Sequence, residues 1–474
     1  MEAFVSQTVT PPTHTATSRP VLALVILSLI AIAEPFLAGL ILPTLPLLQT
    51  ELGVDPSTFA IALTASTLAG VVATPLAGRM ADIYGPRRTL LVVLTAVIIG
   101  GYTSAFADGF PVFLVGQILV GCGFALVPVI FVVLRSAFAP EHMKVATGVV
   151  IAMLTAGEGL GLLLSGPVAL SLSRAALFAI PTSFLVLAAL FLWFSKSVSD
   201  TASSTRMLKM PWLGAALLAS GLLALFAGLN LAPDLGWFTW TTLGLVVAGL
   251  VILILWFISE RRSKNPLVEV GLLSQRGIWA PMLVSAAEGA TMAATSFMIL
   301  QRISLPTDTG YGLGADVTQT GLFLICGSIA GIIASPLAGR IAVWTGTAFM
   351  ATVGSGLLVA GAVWLVLFNG ATEVITGLVL IFAGSGAASS SAYAATTLSA
   401  PADEVGISTA LIALSRSLGL ALGTQLGAVA LADPELPQDD FSRGLLLAAA
   451  VAATGLITSR FFPKDRGRMT APVE

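Results

Sequence analysis

The chain has 474 residues, of which 56% are hydrophobic and only 10% charged, with a mean hydropathy of +0.97. A water-soluble fold carries about a quarter charged residues, so the composition excludes one and leaves a polytopic membrane protein. The formal net charge of -2 offers no basic footprint to a nucleic acid. The two cysteines, Cys122 and Cys326, lie deep in apolar runs and provide neither a disulfide framework nor metal-ligand spacing.

Residues 1–20 form a polar Ser/Thr/Pro tail, expected to be disordered. Fourteen apolar runs follow at roughly 21–48, 58–78, 89–107, 111–134, 145–170, 175–195, 211–230, 237–259, 277–303, 317–338, 347–368, 373–398, 405–431 and 441–461. Runs of ~20 apolar residues cross ~30 Å of hydrocarbon as helices, and none shows the ~10-residue alternation of a barrel strand. The first lacks a small-residue cleavage site and reads as a retained helix. The expected fold is therefore all-α. An N-terminal six-helix half spans 21–195, a linker with inserted helices 7 and 8 spans 196–276, a C-terminal six-helix half spans 277–461, and a tail follows over 462–474.

With the N-terminus inside, all the Lys and Arg except Arg174, Arg302, Arg416 and Arg443 fall on the cytoplasmic side. Asp433, Glu435, Asp439 and Asp440 mark an outer turn. Both termini are then cytoplasmic, in a cell-membrane protein.

The turn Thr74-Pro75-Leu76-Ala77-Gly78-Arg79-Met80-Ala81-Asp82-Ile83-Tyr84-Gly85-Pro86-Arg87-Arg88 joins the second and third spans. A partial copy, Ser335 to Gly346, returns later with Gly339 and Gly346 retained and Val343 in place of Asp82. Duplication of a helix-turn in so apolar a chain is the pattern of a transporter built from two related halves.

The pattern Gly78-x-x-Ala81-Asp82-x-x-Gly85-x-Arg87-Arg88 resembles the loop 2–3 motif of the major facilitator superfamily, with Pro86 replacing a usual basic residue. Within that superfamily, three stretches resemble the fourteen-helix drug:proton antiporter branch: Ala33-Glu34 with Pro43, Glu260-Arg261-Arg262 through Glu269, and Gly406 through Arg416-Ser417-Leu418-Gly419 and Gly423. Two positions depart from the branch. Leu170-Ser171 stands where paired glycines are expected, and Gln117 where an arginine tied to proton coupling is common. The resemblance implies a cytoplasmic gate of Gly78, Asp82, Gly85, Arg87 and Arg88. Asp82 would close onto the start of span 13 near Gly406, and Arg87 and Arg88 would meet Asp403 and Glu404. No cofactor or metal is implied.

Glu34 lies mid-span among Ile30, Ala31, Leu37, Ala38 and Ile41. A charged carboxylate at that depth costs several kcal/mol, which favours protonation and suits a proton carrier. A permanently protonated acid bonded across helices is the structural alternative. Glu288 shares a face with Ser285, Thr291, Met292 and Thr295, which suits a ligand cavity or a helix-packing stripe. Glu158, among glycines, fits gating, proton relay or a structural bond. Arg416, a cavity candidate or a structural cation, needs a partner, Glu34 or Glu288. Gln117 and Tyr393 complete the expected cavity residues, and Arg302 is expected to snorkel at the outer end. Ser389-Ser390-Ser391 in span 12 would need a histidine base for protease chemistry, and no span contains one.

The combined expectation is proton-coupled efflux, by a monomer in the lipid bilayer, of small lipophilic substrates such as drugs or antibiotic-like metabolites. An exporter dedicated to a lipid or a single metabolite is the first alternative. A non-transporting membrane receptor or scaffold is the second.

Overall fold

The computed structural model describes residues 20–41, 44–54, 56–171, 174–195, 210–236, 238–263, 266–307, 312–315, 317–431 and 438–463. Nearly all of both expected tails, the 196–209 stretch, Asn265, Asp433 and Glu435 lie outside these. The described residues contain fourteen helical spans long and apolar enough to cross a membrane.

Span 1 is α1 (Pro20–Ile41), and a short helix, α2 (Leu45–Leu52), follows it. Residues 21–48 are therefore two helices, separated at Thr44 rather than continuous. Spans 2 and 3 are α3 (Pro56–Tyr84) and α4 (Pro86–Ala105). Span 4 is broken: α5 (Phe110–Gly121) and α6 (Leu126–Ala137) flank a 3-10 turn at Cys122–Ala125. Then come α7 (Pro140–Ser171), α8 (Arg174–Phe194) and the inserted pair, α9 (Trp212–Leu235) and α10 (Trp240–Arg262). The second half comprises α11 (Arg276–Ser304), α12 (Val317–Thr345), α13 (Thr347–Leu367), α14 (Ala371–Ser399), α15 (Val405–Ala430) and α16 (Gln438–Thr458).

The two copies of the turn motif are geometrically alike. Gly85 (φ 94°) and Gly346 (φ 87°) occupy the left-handed region that a one-residue reversal between helices requires. Each is followed at once by the next helix, α4 in the first half and α13 in the second.

Within each half, one crossing brings helix backbones together through paired glycines. A Cβ on Gly157 or Gly161 of α7 would meet the Ile32 or Phe36 carbonyl of α1 at 2.2 and 2.5 Å. A Cβ on Gly419 or Gly423 of α15 would meet the Ala286 or Ala290 carbonyl of α11, each at 2.1 Å. Small residues four apart permit this approach where lipid supplies no hydrophobic drive between helices. The inserted pair packs on α3 and α15, with Leu218, Leu222, Phe226 and Trp256 joining the core around Val71, Ile407 and Leu411.

The halves meet on the face that carries Arg79, Arg87, Arg88, Arg135 and Lys144, termed the basic face below. There α3 meets α15, where a Cβ on Gly78 would lie 2.5 Å from the Gly406 carbonyl. Likewise α12 meets α7, where a Cβ on Gly339 would lie 2.3 Å from the Lys144 carbonyl. The Phe131 and Tyr393 rings stack across the same junction, 4.5 Å apart.

Candidate functional site

The two glycine crossings place the acids. Glu34 lies on α1 between Ile32 and Phe36, the residues whose carbonyls touch Gly157 and Gly161. Glu288 lies on α11 between Ala286 and Ala290, which touch Gly419 and Gly423. The two glutamates thus occupy equivalent places in the two halves. Both are buried.

Their surroundings differ. Glu288 accepts hydrogen bonds from Arg416 Nε at 3.0 Å and Arg416 Nη2 at 3.4 Å, and from the Ser385 hydroxyl. The bond geometry is that of a charge-assisted pair, and it resolves the partner of Arg416 in favour of Glu288. Among the described residues, Glu34 makes no such contact with a cation. Its side chain lies over Gly123, where a Cβ would come within 2.5 Å of Glu34 Cγ. The 3-10 turn in span 4 therefore supplies the space Glu34 occupies.

Glu158 follows Gly157, which packs on α1, and precedes Gly159, which packs on Ser328 of α12. It is nonetheless exposed, so its carboxyl reaches an opening between the halves. From there it interacts electrostatically with Arg416 and Glu288, and with Glu34 on the other side. Tyr393 lies within reach of the same pair and is buried against Phe131, closing this space toward the basic face. Glu158 thus links Glu34 on one side to the Glu288–Arg416 pair on the other.

Two expected cavity residues bond to neighbouring helices, and a third is buried. Gln117 is buried and donates to Ser104 of α4 at 3.0 Å. Thr291 bonds back to Ala287 and across to the Ala448 carbonyl of α16. Thr295 is fully buried. Helical periodicity groups these with Glu288, but α16 covers one edge of that stripe. Met292 is half-buried within the second-half core. Arg302 does not snorkel. It is buried and donates to the Leu365 and Asn369 carbonyls and to Asn369 Oδ1, at the C-terminal end of α13.

On the basic face, Asp82 accepts the Gly406 N–H at 2.8 Å and the Ile407 N–H at 3.0 Å. These are orphan donors of the first turn of α15, where a carboxylate also opposes the positive end of the helix dipole. Arg87 does not reach Asp403 or Glu404. Being in the first turn of α4, it donates to the Trp193 carbonyl at the end of α8, at 2.6 Å. The cation beside the latch is Arg79, which the sequence reading left without a role. Arg79 is buried, donates to the Pro266 carbonyl at 3.2 Å, and interacts with Asp82, Glu260 and Glu404. Glu260 in turn accepts the Leu267 and Val268 N–H groups, which explains the Glu260-to-Glu269 pattern as a self-capped link. Burial, then neighbouring Glu269 and Asp403, pushes the Glu404 carboxyl up to about 7, while Arg79 pulls it down.

The family model described as Major Facilitator Superfamily matches residues 27–207 and 195–424. The chain is 26% identical over 350 residues to a uridine/deoxyuridine transporter of Lactococcus lactis subsp. cremoris, covering 72% of each chain. It is 26% identical over 280 residues to multidrug resistance protein 3 of Bacillus subtilis, covering 58% of this chain and 53% of that one. The crystal structure of the human organic anion transporter MFSD10 (TETRAN) superposes with a TM-score of 0.66 at 15% identity, over 94% of this chain and 100% of that one.

Proposed function

The chain belongs to the major facilitator superfamily, and on that premise we propose that it exports small lipophilic compounds, drugs or antibiotic-like metabolites, in exchange for protons. That it is a multi-pass membrane transporter rather than an enzyme follows from the family; the direction, coupling and substrate class are the proposal. The observation that carries it is the row of three carboxyls, Glu34, Glu158 and Glu288, in which Glu158 lies between the other two and Arg416 is hydrogen-bonded to Glu288.

Uncompensated charge in hydrocarbon costs several kcal/mol. With Arg416 committed to Glu288, Glu34 and Glu158 are left to balance their charge with protons or with a cationic substrate. Glu34 is the leading carrier, because Gly123 gives it room and none of the described cations bonds it. The positive-inside rule makes the basic face cytoplasmic, with both termini on that side. Closure of that face by Asp82 then corresponds to the outward-open arm of the cycle, the monomer rocking about the Glu34–Glu288 level. A proton entering from outside would neutralise Glu34, and reopening inward would release it. Gln117 and Thr291 bond to neighbouring helices and Thr295 is buried, leaving few neutral hydrogen-bonding groups among the candidates, which favours lipophilic ligands.

Dye and antibiotic efflux from energised cells tests this, comparing wild type, Glu34→Gln and Glu288→Gln at matched expression, with and without protonophore. Efflux that collapses with protonophore and in Glu34→Gln supports the reading. Proton-dependent efflux that survives both substitutions would sink it.

A second reading is transport of a single metabolite. It is favoured by the nucleoside transporter of Lactococcus, which matches 72% of this chain at 26% identity. Uridine that competes for flux where dyes do not would select it.

A further inference from the structure

The two gate crossings on the basic face are built from the same repeat, yet their chemistry is opposite. At the first, Asp82 of α3 caps the start of α15. At the second, the position of Asp82 is taken by Val343. The close glycine approach survives there, through Gly339 and Gly148, whose Cβ atoms would meet the Lys144 and Ser335 carbonyls at 2.3 and 2.4 Å.

The reason lies in the helix starts. α15 begins at Val405, so Gly406 and Ile407 present free N–H groups to a carboxylate. α7 begins at Pro140. At Lys144 it is already in its second turn, where backbone N–H groups are spent on intrahelical bonds. A carboxylate at position 343 would find no donor there.

Instead, the Lys144 side chain crosses the interface. Its Nζ donates to the Ala342 carbonyl at 3.0 Å, in the last turn of α12, and the residue is buried. A second cation does the same nearby. Arg135, at the end of α6, donates to the Thr397 carbonyl at 2.6 Å, in the last turn of α14. A helix C-terminus carries partial negative charge that a cation offsets, and the Ala342 carbonyl, which also accepts the Gly346 N–H at 3.0 Å, takes the Lys144 bond on its second lone pair. All three charged groups belong to the first half, and each is matched to the helix end it meets in the second: an anion to the start of α15, cations to the ends of α12 and α14.

We propose that Lys144 and Arg135 are gate residues, forming a cationic latch that holds the basic face closed alongside Asp82. Lys144 replaces, at the second crossing, the carboxylate that the repeat has lost. The inference deepens the alternating-access reading above but needs neither a substrate nor a proton gradient. In the open arm, each cation would exchange its carbonyl for water, so the contacts act as a spring on the conformational equilibrium rather than on folding.

The test uses the full-length protein in lipid nanodiscs, with Cys122 and Cys326 replaced and spin labels at the exposed positions Tyr84 and Thr345 on the two halves. Double electron–electron resonance then reports the width of the basic face. Lys144→Met should raise the open-to-closed ratio by about tenfold, the size expected for one charged hydrogen bond. Lys144→Arg should restore the parent distribution. Arg135→Gln should act in the same direction, and either change should add to the opening caused by Asp82→Asn. If Lys144→Met elutes as an aggregate, Lys144→Gln and Arg135→Gln provide the same readout. Unchanged distances in folded Lys144 and Arg135 variants, with Asp82→Asn opening the face, would overturn the cationic latch. Shifted distances in a protein that fails to export would leave the latch intact and overturn only the proposed function.

Discussion

Glu288 and Arg416 are bound so directly that removing one should harm the protein more than removing both. Glu288→Gln leaves a guanidinium in the interior without its counter-charge, a loss of about 2 kcal/mol given that Arg416 keeps a third of its side chain exposed. Thermal unfolding in detergent should show Glu288→Gln less stable than the Glu288→Gln/Arg416→Gln double variant; the reverse order would show that the pair contributes no net charge compensation. Glu404 has the opposite character, an acid held near neutrality at the edge of the latch. Its carboxyl sits at about 7 when packed by burial, Glu269 and Asp403, with Arg79 opposing, and should return toward 4.5 once exposed. The closed face binds this proton more tightly, so closure is favoured at acid pH and weakens as pH rises from about 4.5 through 7. The spin-label distances should therefore widen with pH over that window, and Glu404→Gln should flatten the dependence.

At the scale of elements, the break in span 4 is the feature with the sharpest consequence. A Cβ on Gly121 would lie 2.0 Å from the Ser66 carbonyl of α3, a backbone contact that cannot yield cheaply, whereas one on Gly123 would meet the flexible Glu34 side chain. Gly121→Ala should cost about 1–3 kcal/mol of stability by overpacking. Gly123→Ala should fold nearly as wild type yet lose transport, because it displaces Glu34; calorimetry beside an efflux assay separates the two. Hydropathy reveals that span 4 crosses the membrane, but not that it is broken, since Cys122-Gly123-Phe124-Ala125 is as apolar as its flanks. The same limit hid the separation at Thr44. The acids at 34, 158 and 288 were legible because charge in an apolar run is costly wherever it points. The bonds of Gln117 and Thr291 to neighbouring helices were not legible, because a neutral polar side chain is equally at home there or in a cavity. Asp82 could be assigned from its motif, whereas Arg79 could not, since its partners Pro266, Glu260 and Glu404 come from segments far away in the chain. Arg302 was misread for the same reason: Asn369 and the end of α13 reach it only in the fold.

Across the whole molecule, two halves with equivalent glycine crossings carry unequal chemistry. In the first half the glutamate lies over glycine, bonded to no cation among the described residues; in the second it is tied to Arg416. At the basic face an anion serves one crossing and cations the other. A symmetric frame supplies two states of similar energy, and under the proposed coupling the asymmetry would let a proton bias one of them by its differential affinity. A pH unit across the membrane is worth about 1.4 kcal/mol and 100 mV about 2.3 kcal/mol per charge, enough to drive such a bias. The most direct measurement is proton flux in proteoliposomes containing the purified protein and a pH-sensitive dye, started by adding a dye or antibiotic that cells expressing it exclude. The account predicts substrate-driven proton movement in wild type that is lost in Glu34→Gln while the variant still binds substrate. Substrate flux in wild type without proton movement, or proton movement undiminished in Glu34→Gln, would contradict it.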